Sequence, residues 1–205
     1  MDAAKEGKLG PLKTAREEAA DCTRCDLYKN ATQTVFGEGG AKASVVFVGE
    51  QPGDREDIEG RPFVGPAGRL FDTILEETGI DRKKTYVTNA VKHFKFQSRG
   101  KRRIHSKPNA GEIRACRWWL GQELTMIQPD LAVALGATAV RALTGKALAV
   151  NTLRGSVVES AEGVPVFITV HPSSLLRIPD REARHTARER FAEDMRKVKT
   201  MMRKG

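Results

Sequence analysis

Cysteine is scarce in this chain, with three in 205 residues. That excludes a framework of several disulfides and leaves metal ligation or plain burial as the uses of Cys22, Cys25 and Cys116. Long apolar runs are missing too. Nothing approaches the roughly 18 apolar residues a membrane-crossing helix needs, and the opening segment MDAAKEGKLGPL has no apolar stretch of a secretory leader. We therefore expect a cytoplasmic protein with no membrane partner. Internal repeats and low-complexity linkers are also absent, so one compact domain over residues 1–205, acting as a monomer, is the expectation.

Acidic residues are in deficit: 26 Asp and Glu stand against 35 Lys and Arg, a formal net charge of +9. Such an excess favours a polyanionic partner and says nothing about fold. Its placement is informative. Between residues 92 and 108 lie seven basic side chains, Lys92, Lys95, Arg99, Lys101, Arg102, Arg103 and Lys107, and no acidic one. We expect a basic insert loop, either simply solvated or neutralising the phosphates of a nucleic-acid strand.

Four short apolar runs, at 44–48, 85–88, 131–135 and 164–170, have strand character. Helical patterns fall at 66–78, 109–127, 137–143 and 180–202. Alternation of the two predicts an α/β fold, a three-layer αβα sandwich around a central four-stranded parallel sheet. Asn109 with Glu112 three residues later forms a capping-box signature. Ile113, Cys116, Leu120, Leu124 and Ile127 then repeat on one helical face, so Cys116 points inward. The charge-rich last helix is expected at the surface.

In open α/β sheets reacting groups collect beyond the carboxyl ends of the strands. Here those ends run into Gly49-Glu50-Gln51-Pro52-Gly53-Asp54, into Asn89, and into His171-Pro172-Ser173-Ser174-Leu175-Leu176-Arg177. The first lacks the spacing of a phosphate loop, and its acids would repel phosphate. Asn89 is either a turn residue or a paired donor and acceptor suited to an amide-like base edge. Phe63 is either core or a stacking face. His171 is either structural or a donor to a developing oxyanion. Leu175 and Leu176 are either core or an apolar wedge between bases. Cys22, Cys25 and Cys116 with His93 are either a four-ligand set for zinc or an iron–sulfur cluster, or a core Cys116 and a solvated His93.

Taken together, Gly49-Glu50-Gln51-Pro52-Gly53, Val87-Thr88-Asn89-Ala90-Val91 and His171-Pro172-Ser173 resemble the signature segments of the uracil-DNA glycosylase superfamily, especially its iron–sulfur family 4 branch. The resemblance extends over residues 22–177. It implies a [4Fe-4S] cluster at Cys22, Cys25 and Cys116. A cysteine of family 4 is replaced here by His93, and with the insert Lys101-Arg102-Arg103-Ile104-His105 this is similar to the UdgX subgroup, whose members bond covalently to DNA after excising uracil. By that resemblance His93 is the fourth cluster ligand, and Glu50, His171 and a nucleophilic His105 are catalytic. Uracil is expected at Gln51, Asp54, Phe63, Asn89 and His171, and Glu56, from its place in the same turn, is expected to restrict the space beside C5 and exclude thymine. DNA, preferably single-stranded, falls to Lys101, Arg102, Arg103, Ser173, Ser174, Leu175 and Arg177. The alternatives are a glycosylase that turns over without trapping, and a non-catalytic metal-containing nucleic-acid-binding module.

Overall fold

A computed structural model describes residues 3–202, with side chains from Gly10 onward. In chain order the elements are α1 (Ala3–Ala20), β1 (Glu38–Gly39), β2 (Val45–Gly49), α2 (Asp54–Glu59), α3 (Pro66–Glu77), β3 (Tyr86–Asn89), β4 (Phe96–Arg99), β5 (Arg102–His105), α4 (Ala110–Ile127), β6 (Leu131–Leu135), α5 (Ala137–Thr144), α6 (Val150–Leu153), β7 (Val157–Glu159), β8 (Pro165–Thr169), α7 (Pro172–Leu176) and α8 (Arg181–Met201). No helix among the described residues is long and apolar enough to cross a membrane.

The main sheet has the order β1-β3-β2-β6-β8-β7. Its four inner strands are parallel, while β1 and β7 pair antiparallel at the two edges. The expected four-stranded parallel sheet is therefore the centre of a six-stranded mixed one. The edges, Glu38–Gly39 and Val157–Glu159, are two and three residues long, too short to carry a period-two pattern. The basic segment is likewise not a plain loop. It folds as an antiparallel hairpin of β4 and β5, with Phe96 opposite His105.

Alternation along the strands builds two cores. Val46 and Val48, Ala132 and Ala134, and Val166 and Ile168 face α1, α4 and α5. Val45 and Phe47, Leu131, Val133 and Leu135, and Phe167 face α3, α7 and α8. Helices thus cover both faces, as a sheet with two apolar sides requires. The capping box at α4 is present, Asn109 accepting from the Glu112 N–H while the Glu112 carboxylate accepts from the Asn109 N–H. Cys116 is buried as its helical position demanded. The last helix is not simply a surface element. Its charges cover one side, but Phe191, Ala192, Met195 and Val198 are buried against α3 and the sheet.

One polar cluster lies inside the first core. Lys92 and Glu123 are fully buried, with Lys92 Nζ 2.6 Å from Glu123 Oε2. Lys92 Nζ also donates to Thr88 Oγ1 at 2.5 Å and to the Asn89 carbonyl at 2.9 Å. Glu123 Oε1 accepts from the Gly37 N–H, the Tyr86 hydroxyl and Thr88. A charge in such a place is tolerable only because every polar atom has a partner. Replacing one member leaves the other charged and unpaired. We predict that Glu123→Ala loses about 3–5 kcal/mol of unfolding free energy, read as a lowered midpoint in urea, and that Glu123→Gln loses less.

Candidate functional site

The carboxyl ends of β2, β3, β6 and β8 open into a cleft of about 910 Å³, whose lining includes Glu50, Phe63, Asn89, His105, Gly136, His171 and Arg177. Parallel register explains the convergence: Gly49 pairs with Asn89, so Glu50 and Asn89 leave neighbouring strands at one level. Four residues far apart in sequence thereby share one rim with the hairpin.

Glu50 links the sheet to the hairpin. Its Oε2 accepts from Thr138 Oγ1 at 2.6 Å, and its Oε1 lies 3.3 Å from His105 Nε2. Thr138 is the second residue of α5, so the carboxylate sits at the positive end of that helix. Burial raises the carboxyl, but hydrogen bonds from His105 and Thr138 and the field of His105 and His171 outweigh it and hold Glu50 below its ordinary value. Glu50 is therefore an anion at neutral pH.

His171 caps α7. Its Nδ1 accepts from the Ser173 N–H at 3.1 Å and lies 2.8 Å from Ser173 Oγ. With Nδ1 accepting, the neutral ring carries its proton on Nε2. Burial pushes the imidazole down to about 4, with Glu50 opposing and Arg177 and His105 adding to the shift. At neutral pH the ring is an uncharged donor.

Phe63 forms a wall beside His171, the ring centroids 6.2 Å apart. Its backbone is left-handed at φ 60°, a conformation non-glycine residues rarely adopt. Two glycines make room for it: a Cβ on Gly68 would collide with the Phe63 carbonyl, and one on Gly49 would collide with the Phe63 ring and Asn89 Oδ1. Asn89 is itself buried, its carbonyl held by Lys92.

His105 reaches the cleft because the hairpin is fastened at both sides. At the base, Gln51 Nε2 donates to the carbonyls of Lys95 and Ser106, both at 3.1 Å, while Gln51 Oε1 accepts from the Lys95 N–H at 3.2 Å. The side chain of Gln51, expected at uracil, is therefore committed to the hairpin. At the outer side Arg103 Nε donates to Asp54 Oδ1 at 2.6 Å, and its Nη1 to Asp57 Oδ2 at 2.5 Å and Thr32 Oγ1 at 3.1 Å. The guanidinium also lies over the Phe94 and Phe96 rings, about 5 Å from each centroid. This corrects two expectations. Arg103 is a clamp, not a free phosphate contact, because two carboxylates already neutralise it. Asp54 lines the cleft but spends its carboxylate on that clamp. Lys101 and Arg102, at the hairpin tip, are exposed.

Leu175 is also corrected. It is buried in the α3–α8 core, and the exposed leucine of the turn is Leu176. Ser173, Ser174 and Arg177 do border the cleft. Glu56 borders it as well, its Oε1 accepting from the Gly65 N–H at 3.0 Å. Sequence reasoning missed Thr138, the partner of Glu50, because nothing about a threonine in an apolar helix distinguishes it. Lys107 belongs to the basic run, where nothing in the sequence singles it out, and it lines the cleft with His105.

The candidate metal ligands lie on the opposite side of the hairpin base. Cys22 and Cys116 are buried in the α1–α4 core, and Cys25 packs against it. Trp119 Nε1–H points at Cys22 Sγ and the Lys92 N–H at Cys116 Sγ, each at 3.1 Å. His93 lines a pocket with Cys22, its Nε2 2.9 Å from Thr34 Oγ1. Burial pushes Cys116 up to about 12 and also raises Cys25, so a bound cation would be needed to draw either into its thiolate form. Among the described residues, no three of His, Cys, Asp or Glu stand in ligating geometry.

Comparison with known proteins agrees with this geometry. Residues 36–196 match the Uracil DNA glycosylase superfamily. The chain is 38% identical over 194 residues to the Type-4 uracil-DNA glycosylase of Thermotoga maritima, covering 94% of this chain and 95% of that one. It is 32% identical over 201 residues to the Type-4 uracil-DNA glycosylase of Sulfurisphaera tokodaii, covering 94% and 86%. It also resembles 15% of a Bacillus phage SP01 DNA polymerase, at 31% identity over 144 residues.

The depressed His171 fixes a pH dependence. Above pH 6.5, the ordinary value of an imidazole, folded and unfolded chains both hold it neutral and its contribution to stability is complete. As pH falls from 6.5 toward about 4 the unfolded chain binds a proton that the folded chain does not, and stability is lost. We predict that His171→Asn flattens the stability curve in that window, measured by urea denaturation at stepped pH.

Proposed function

Because the chain belongs to the uracil-DNA glycosylase superfamily, we propose that it excises uracil from DNA in this cleft and then captures the exposed sugar through His105. The observation that carries the second half is the 3.3 Å approach of His105 Nε2 to Glu50 Oε1, which puts a nucleophile beside the carboxylate that faces His171.

Excision follows from the charges. A base turned out of the stack enters beside Phe63, which offers a stacking face. The Asn89 amide provides a donor and an acceptor to the O4 and N3–H of uracil, a pattern cytosine reverses. As the C1'–N1 bond breaks, its electron pair leaves with uracil, and the Nε2–H of neutral His171 donates to the developing O2 anion. Positive charge grows on the sugar ring, where anionic Glu50 stabilises it. Any part of Gln51 in base recognition falls to its main chain, and Glu56 restricts the space beside C5.

Capture is a competition between water and imidazole for C1'. A held nucleophile has a large advantage in effective concentration. Glu50 is placed to take the Nε2–H proton of His105, and the lone pair this frees on Nε2 forms the new bond to C1', leaving a neutral alkylated ring and a protonated Glu50. The Gln51 and Arg103 fastenings keep the hairpin where this geometry holds. Single-stranded uracil reacts faster, since extrusion from a duplex costs on the order of a few kcal/mol. Lys101, Arg102, Ser173, Ser174 and Arg177 contact the strand. An ordinary turnover enzyme shares the excision half.

On a denaturing gel, wild-type protein with a uracil-containing oligonucleotide should give a heat-stable shifted band. His105→Ser should release uracil without one, since water then takes C1'. An adduct that persists in His105→Ser removes His105 as the attacking group, and multiple-turnover release by wild type without a band leaves the turnover enzyme.

The donor chemistry of Cys22, Cys25, Cys116 and His93 supports an iron–sulfur cluster, although their side chains do not stand in ligating geometry: the three thiols border one apolar core, and two of them receive N–H bonds of the kind that steady cluster ligands. When bound, that group supplies a structural tie between α4, the 22–25 turn and the base of the hairpin. The chain's own residues do the chemistry. We predict a brown protein with about four irons per chain, and loss of colour in Cys116→Ser; a colourless, zinc-containing wild type rejects the cluster.

A further inference from the structure

Turn α7 has two sides. Ser173, Ser174 and Arg177 border the cleft, while Leu175 and Leu176 border a separate groove of about 330 Å³ completed by Leu70 and the first two turns of α8. Arg181, Arg184, His185 and Arg188 all line that groove. Their i, i+3, i+4, i+7 spacing lays them in one stripe. Arg188 is held by Glu77 and Glu189, which anchors the inner end. Arg181, Arg184 and His185 are exposed. The nearby acid Asp180 is occupied in capping the helix through the Ala183 N–H, and Glu182 lies off the stripe. Leu176, 45% exposed, is the exposed leucine of the groove.

We propose that this groove is a second docking surface for DNA, carrying the sugar–phosphate backbone of the strand whose reacting nucleotide occupies the cleft. The proposal rests on the cleft's assignment as the nucleotide site. A strand leaving the cleft over Ser174 and Arg177 meets the groove within one turn of helix, with no acidic side chain of the stripe in its way. Arg181 and Arg184 supply exposed guanidinium groups to successive phosphates, which bind such forks in pairs of hydrogen bonds. Leu176 and Leu70 supply an apolar floor to a deoxyribose or base face. The hairpin contributes less free charge than its sequence implies, since Arg103 is neutralised, so the α8 stripe carries a larger share of backbone attraction.

The test is the salt dependence of binding to a uracil-free single strand of about 20 nucleotides, which does not require the cleft to act. Each phosphate contact on a single strand contributes about 0.7 to the slope of log K against log salt. Arg181→Ala with Arg184→Ala should lower that slope by about 1.4 and weaken binding at least tenfold at low salt, while Arg181→Lys with Arg184→Lys retains the slope. Both sites are exposed, so an unchanged melting curve accompanies either pair. A slope in the alanine pair equal to wild type overturns the surface. Wild-type uracil release from an oligomer of about five nucleotides reads the cleft separately, so a lost slope without any release retains the groove and rejects the cleft.

Discussion

The buried pair of Lys92 and Glu123 is the constraint on which the site rests. It joins three parts of the chain: the end of β3 through Thr88 and the Asn89 carbonyl, the middle of α4 through Glu123, and the segment before β1 through the Gly37 N–H, while the Lys92 N–H points at the buried Cys116 thiol of the same α4. Ion pairs in apolar surroundings rarely add net stability compared with well-packed hydrophobic side chains, because desolvation cancels much of the attraction. Their value lies in direction. A leucine pair would fill the volume and leave the strand end free to settle in several ways. The lysine, with three donors satisfied by Glu123, Thr88 and Asn89, allows one.

The hairpin shows a second use of charge. Four of its ten residues, Arg99, Lys101, Arg102 and Arg103, are basic and none is acidic, and on its face that is a surface for phosphate. In the folded chain the most central of those charges is turned inward to Asp54 and Asp57 and stacked on Phe94 and Phe96. Burying part of a guanidinium against aromatic faces while fixing its fork on two carboxylates gives an anchor that is both polar and apolar. The consequence is a division of labour in which tip residues stay exposed and the clamp holds His105 in reach of Glu50.

Much of this was legible in the sequence. The inner strands and the larger helices announced themselves by apolar runs and capping residues, and the three strand-end motifs located the cleft because parallel strands deliver their carboxyl ends to one rim. What stayed hidden was whatever depends on partners distant in the chain. Lys92 looked like one more base in a basic run, and only the fold shows that Glu123 receives it. Arg103 looked free for the same reason. Leu175 and Leu176 are adjacent and alike, and which of them faces outward is fixed by the short helix α7, whose five residues are too few to show a period. The edge strands were invisible through brevity, and α1 through its mixed composition, with Pro11 inside it.

At Phe63 two free energies pull apart. Its backbone conformation suits glycine and costs a bulkier residue on the order of 1–3 kcal/mol, whereas its ring, packed on Phe71 with centroids 5.3 Å apart, is stabilised by burial. Drift toward smaller residues here would relax the main chain while removing the wall of the cleft. A population selected only for thermal stability therefore has a partly downhill route to losing the pocket, and the aromatic ring persists there only while the cleft itself is under selection.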